Sequence, residues 1–253
     1  MKKLFPLILL SAFLFNSCKK KSTETPEITN VSTERKSLMF DFTGLQCGIC
    51  TGYLPQWDAM LKNEHPYNAI GLSVHCGVQD SLDNNFSLWM ATDFNVQGTP
   101  SWAEGSTMAI TSYASMKSAM ESTVKTKADL GIGVKKTLSG NTISITTKTV
   151  LFNDMSGDYN IAVYCAENDC HALQTGTPYV HNDVLRGVVG NNRYGQSLIS
   201  GSASKGTVYD QTFTYNIGTQ GTDYWNANNL RIVVVVYKMV GGVAKEVMNC
   251  NAD

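Results

Sequence analysis

Cys47-Gly48-Ile49-Cys50 is the stretch on which the reading of this 253-residue chain turns. Residues 36–43, with Ser37-Leu38-Met39-Phe40-Asp41-Phe42 at their heart, read as a strand. After Cys50 a helix-like stretch carries Leu54, Trp57, Met60 and Leu61 on one face. Two thiols three residues apart, where a strand feeds a helix, can close a tight and reversible disulfide. The helix end favours the thiolate of the first thiol. Half a zinc site and a purely structural crosslink are the other readings of such a pair. Its surroundings have to decide.

The N-terminus supplies an address. Met1-Lys2-Lys3 is basic, and residues 4–15 form an apolar run too short to span a bilayer. The run leads to Phe15-Asn16-Ser17-Cys18, which resembles the lipobox of bacterial lipoproteins, with Phe15 looser than the usual Leu. That resemblance implies a signal peptide over residues 1–17, cleavage before Cys18, and a mature chain anchored to membrane by acyl groups on Cys18. Lys19 in place of Asp after the Cys favours, by the same resemblance, the outer membrane of a Gram-negative bacterium. An ordinary secretory signal with an incidental Cys is the bland alternative, and it exports the protein too.

Removal of Lys2 and Lys3 with the leader reduces 20 basic residues to 18 against 21 acidic ones, a net charge of about −3. There is no basic stripe, so nucleic acid is not an expected partner. Residues 18–35 are polar, with Ser, Thr and Glu, and read as a flexible tether. Over residues 36–129 strands and helices alternate. A second strand falls at 69–74, a helix at 86–94, a short strand after Val96-Gln97-Gly98-Thr99-Pro100, and a closing helix carries Met116, Met120 and Val124. This predicts an α/β domain. Residues 130–253 read differently. Strand-like runs at 142–149, 159–166, 207–215 and 230–240 alternate with Gly, Asn and Ser clusters, and Gly241-Gly242 turns into a last strand at 243–248. An antiparallel β-sandwich is expected there.

Three features beyond the Cys pair make the first half resemble a thioredoxin-like domain. Asp41 lies six residues before Cys47, Pro55 falls in the following helix, and Thr99-Pro100 ends a segment like the family's cis-proline loop. The resemblance implies that Cys47 is the attacking thiolate, Cys50 the resolving thiol, and Asp41 a buried proton acceptor. It implies that Thr99 and Pro100 position the substrate, with no cofactor or metal needed. Gln46, Gly48-Ile49 and Thr51 depart from the usual residues, so the redox poise does not carry across.

In the second half Tyr179-Val180-His181-Asn182-Asp183-Val184-Leu185-Arg186 leads into Gly187-Val188-Val189-Gly190. With the lipobox and the two-part organisation, this string resembles the outer-membrane protein 28-related lipoprotein family across the mature chain. That family is regarded as one of surface adhesins or receptors. His181 and Arg186 read either as lining a ligand groove or as structural, His181 capping a loop and Arg186 in an ion pair. Cys165 and Cys170 flank a turn-like stretch and are expected to form a local disulfide. Zinc held by Cys165, Cys170, His171 and His181 is the lesser alternative. Cys76 and Cys250 pair with each other or stay free.

Two functions follow. One is thiol–disulfide exchange on envelope protein thiols. The other is a non-enzymatic surface adhesin or receptor that keeps Cys47–Cys50 as a crosslink. Neither the partner nor the oligomeric state is legible.

Overall fold

The computed structural model describes residue 28 and residues 31–190, 192–217 and 225–253. The expected signal peptide, Cys18 and most of the tether lie outside these described residues. No helix among them is long and apolar enough to cross a membrane.

Strand β1 (Ser37–Thr43) is buried along its whole length. Successive side chains of a strand point to opposite faces, so Leu38, Phe40 and Phe42 enter one core while Met39 enters another. β1 pairs in parallel with β2 (Ala69–His75), from Ser37 opposite Ala69 to Thr43 opposite His75. On its other side β3 (Ser101–Glu104) runs antiparallel, with Asp41 opposite Trp102 and Phe42 opposite Ser101. The crossover from β1 to β2 is carried by α1 (Leu54–Ala59), which continues through a π-helical turn over Met60–Glu64. Gly71 permits this close packing, because a Cβ there would meet Leu61 Cδ1 at 2.5 Å and Trp57 Cζ2 at 2.7 Å. α2 (Asn85–Asp93) opens with a capping box between Asn84 and Ser87. α3 (Tyr113–Thr123), capped by Ser112, buries Met116 and Met120 in the cluster that holds Trp57 and Trp102.

Strands dominate from Leu130 onward. In order they are β4 (Leu130–Ser139), β5 (Thr142–Leu151), β6 (Met155–Ser156), β7 (Asp158–Glu167), β8 (Cys170–Gln174), β9 (Thr177–His181), β10 (Val184–Val188), β11 (Gln196–Ile199), β12 (Ser202–Ala203), β13 (Val208–Asn216), β14 (Leu230–Val240) and β15 (Val243–Ala252). β4, β5 and β13 form a three-stranded antiparallel sheet, and β8 and β9 a separate hairpin.

The sandwich expected in the second half is present, since the three-stranded sheet packs on one face of β7 and β14. Its larger layer, however, does not stop at the first half. The sheet runs β15-β14-β7-β10-β2-β1-β3, with β11 also on β7. The junction is Val184 of β10 paired in parallel with Ser73 of β2, where the Ser73 N–H donates to Asp183 O at 2.8 Å. β14 explains its own composition. Ile232, Val234 and Val236 face the three-stranded sheet, while Val233, Val235 and Tyr237 face the core of Phe40, Leu72 and Phe86. A strand covered on both faces has no polar side to show, hence its unbroken β-branched run.

Candidate active site

The loop that leaves β1 carries the two cysteines. Cys47 N–H donates to Gly44 O at 3.0 Å, which turns the chain, and a 3₁₀ turn over Cys50–Gly52 leads to α1. Cys47 and Cys50 are joined in a disulfide with Cα atoms 5.3 Å apart. Cys47 is half-buried and Cys50 is buried, while Ile49 between them is 70% exposed. The Cys50 N–H donates to Cys47 Sγ at 3.2 Å. The sequence reading put the thiols directly at a helix N-terminus, yet α1 begins four residues after Cys50, with Pro55 in its first turn. The donor that lies on Cys47 Sγ is thus this local N–H, not the end of α1.

Asp41 is 4% exposed and points to the face of β1 that carries α1, as Met39 does. Burial pushes its carboxyl up to about 7; the Trp102 indole pulls the other way without completing a hydrogen bond. Tyr53, Trp102 and Tyr113 pack edge-on and tilted around this position, with ring centroids 4.8–5.8 Å apart. The Thr99–Pro100 peptide is cis. It enters β3 next to Ser101, opposite Phe42, and so stands at the end of β1 from which the cysteine loop departs.

Three residues that sequence reasoning did not assign to the site hold this loop. Asp80 Oδ2 accepts from Leu45 N–H at 3.1 Å and from the His75 imidazole at 2.8 Å, while Asp80 Oδ1 accepts from Leu82 N–H at 2.9 Å. The adjacent charge and these donors hold the Asp80 carboxyl below its ordinary value despite burial. Gly44 and Gly77 touch, so that a Cβ on Gly44 would lie 2.9 Å from Gly77 Cα. From the other side Gln174, at the tip of the β8–β9 hairpin, donates to Gly44 O and Cys47 O. His75, next to Cys76 at the end of β2, has Asp80 as its partner. Gln174 carried no signal beyond the Gln174-Thr175-Gly176-Thr177 turn in which it sits.

The residues expected to form a groove are interior. His181 is 3% exposed, its ring 4.9 Å from Tyr179 and 5.1 Å edge-on from His75. Burial and the neighbouring His75 lower it to about 4, against the pull of Asp80. Arg186 is 4% exposed and donates to Glu167 at 2.8 Å, with Trp225 beneath its guanidinium at 5.5 Å. Both therefore take structural places, and neither lines an open groove.

The expected Cys165–Cys170 disulfide is absent, and both are free thiols. Cys165 is fixed within β7, opposite Ile232 and Gly187, and packs with Val163 and Val234. Cys170 begins β8 beyond the Asp169 turn, packs with Leu45, Leu82 and Val184, and has the Arg186 guanidinium 3.6 Å from its sulfur. Proximity in sequence did not fix side-chain direction. The zinc alternative fails on the same geometry, since His171 is exposed beside Asp169 and His181 faces His75. Cys76 and Cys250 are also free. Burial pushes all four of these thiols up to about 12.

A profile of the family described as outer membrane protein Omp28 matches residues 89–251. The chain belongs to the Omp28 family, proteins of the Gram-negative outer membrane. The matched stretch starts within α2, so it includes Gln174, His181 and Arg186 but not Cys47 or Cys50. The fold is similar to that of HBP35 of Porphyromonas gingivalis, at 14% identity and a TM-score of 0.70, covering 88% of this chain and 76% of that one. A domain of the outer membrane lipoprotein Omp28 from the same organism is 20% identical over 49% of this chain and 86% of its own, with a TM-score of 0.34. No curated protein matches the chain in sequence.

Proposed function

We propose that this outer-membrane protein is a thiol–disulfide exchange protein, held to the membrane by lipid on Cys18, with a thioredoxin-like arrangement around Cys47 and Cys50. The observation that carries the reading is the asymmetry of the pair. Cys47 is half-buried and receives the Cys50 N–H, Cys50 is buried, and Asp41 lies on the same face as α1 with a carboxyl that titrates near 7. In the reductive direction the Cys47 thiolate attacks one sulfur of a partner disulfide. A Cys47–partner bond forms, and the partner's second sulfur leaves as a thiolate that takes a proton. Asp41 receives the proton of Cys50, directly or through water. The Cys50 thiolate then displaces the partner from Cys47, closing Cys47–Cys50 and releasing the partner as a dithiol. The reverse sequence oxidises a partner dithiol. Thr99 and Pro100 frame the strand end where an extended partner would lie.

The four other thiols, Cys76 half-buried and the rest buried, are each raised to about 12 and stay out of this chemistry. A second reading draws support from the hold that Asp80 and Gln174 keep on the loop. In it the pair is a static crosslink in a surface adhesin or receptor. Insulin reduction by the mature protein separates the two. Exchange predicts activity that disappears in Cys47→Ser, and equal activity in that variant removes the exchange reading.

A further inference from the structure

Gln174 reaches the cysteine loop from the far half of the chain. It ends β8 at a two-residue hairpin turn in which Thr175 and Gly176 take φ of 50° and 81°. Its side chain is 2% exposed. Nε2 donates to Gly44 O at 3.1 Å and to Cys47 O at 3.0 Å. Two carbonyl acceptors fix which end of the amide faces the loop. The other end, Oε1, is buried without a hydrogen-bond partner. A leucine would fill the same space with no unmet polar atom, so what the amide contributes is its pair of donors. Around it Thr175 N–H donates to Leu45 O at 2.8 Å, and Asp80 takes Leu45 N–H from the opposite side.

We propose that Gln174 is a positioning residue for Cys47, and that the Cys47 carbonyl it holds keeps the opened pair ready to close. Closure joins Cys47 Sγ to Cys50 Sγ with loss of two protons and two electrons. A partner disulfide accepts both as it becomes a dithiol. If Cys47 were free to wander in the dithiol state, each closure would have to order it again, and the effective concentration of one thiol at the other would fall. With Gln174 in place that ordering is built into the fold. The second half of the chain thereby completes a site whose chemistry lies in the first. The inference rests on the exchange reading for its purpose, though its measurement does not need exchange to occur.

The test equilibrates the full mature protein with glutathione redox buffers and reads the Cys47–Cys50 closure constant in the wild type, Gln174→Leu and Gln174→Glu. Gln174→Leu keeps the volume and removes the donors. We expect closure to weaken about tenfold, a rise of about 30 mV in potential. Gln174→Glu sets a carboxylate against two carbonyls at neutral pH, and protonation at acid pH restores one donor. Its closure constant, taken relative to the wild type at each pH, is expected to recover on acidification. A folded Gln174→Leu variant within twofold of the wild type overturns the proposal. Should that variant not fold, a Gln174→Glu ratio independent of pH overturns it instead. Exchange is assayed separately through Cys47→Ser. Failure there removes the exchange reading and leaves the effect of Gln174 on the potential standing.

Discussion

Asp41 stands opposite Trp102 in the β1–β3 ladder, both side chains buried and the indole N–H short of a full hydrogen bond. The pairing holds a carboxyl where water cannot solvate its charge, and burial outweighs the donor beside it. A group that titrates near 7 can take a proton from a thiol and give it back at ordinary pH, which is what the proposed resolving step at Cys50 would require.

The same shift predicts a pH dependence of stability. A folded pKa raised from 3.8 to about 7 means that the Asp41 contribution is fully present below pH 3.8 and is lost as pH rises to 7. The loss amounts to about 4 kcal/mol at most, at 1.36 kcal/mol per unit. In Asp41→Asn this loss disappears, so by urea unfolding the variant should gain stability relative to the wild type between pH 5 and pH 8.

His181 runs the other way. Its folded pKa of about 4 lies below the ordinary 6.5, so its contribution is complete above pH 6.5 and falls away toward pH 4, by about 3 kcal/mol. Asp80 and His75 face the ring, and Tyr179 packs edge-on against it. Between pH 4 and 6.5 Asp41 and His181 oppose each other. The wild type should therefore be nearly flat there, Asp41→Asn should gain stability with rising pH, and His181→Phe should lose it. Each slope is read within one variant by urea titration.

The thiols predict a labelling pattern. Cys76, Cys165, Cys170 and Cys250 have thiols raised to about 12, so at pH 8 almost none is thiolate. After mild reduction, iodoacetamide should modify Cys47 first in the folded protein. The four others should react only on unfolding, as peptide mass mapping would record.

Arg186 and Glu167 are an ion pair with both side chains about 5% exposed or less. Loss of one partner leaves a buried charge alone, so Arg186→Met should cost about 3–5 kcal/mol. Arg186→Met combined with Glu167→Gln should recover part of that, since the stranded charge goes with it. Trp225, whose ring lies 5.5 Å from the guanidinium, would register the change in its fluorescence.

Much of the fold was legible because it is written in short-range patterns. The β1 alternation, the capped α2, the Met116–Met120 stripe of α3 and the β-branched run of β14 each announce their element and its buried faces. β10 was not legible. Its Val184–Val188 carries Arg186 and Gly187 in five residues and contains a register shift between Leu185 and Gly187. A strand so short shows no period, yet it is the strand that joins the two halves into one sheet. At the site, Asp41, Cys47 and Cys50 lie within one short stretch that can be read directly, while Thr99-Pro100 was read through the resemblance of its loop. Gln174 acts on Cys47 across 127 residues through a side-chain amide, and no local pattern encodes a contact of that kind. The pairing expected for Cys165 and Cys170 failed for the converse reason. Nearness along the chain says nothing of which core each sulfur enters.

Exchange requires that Cys47–Cys50 opens under conditions an envelope protein meets. Its reduction potential, measured on the mature protein by equilibration with glutathione and quantitative alkylation, decides this. Exchange predicts a potential more positive than about −300 mV, together with a Cys47 thiol that ionises below the ordinary 8.5. A potential below about −300 mV, with Cys47 at an ordinary or raised value, would make the pair a fixed crosslink and contradict the account.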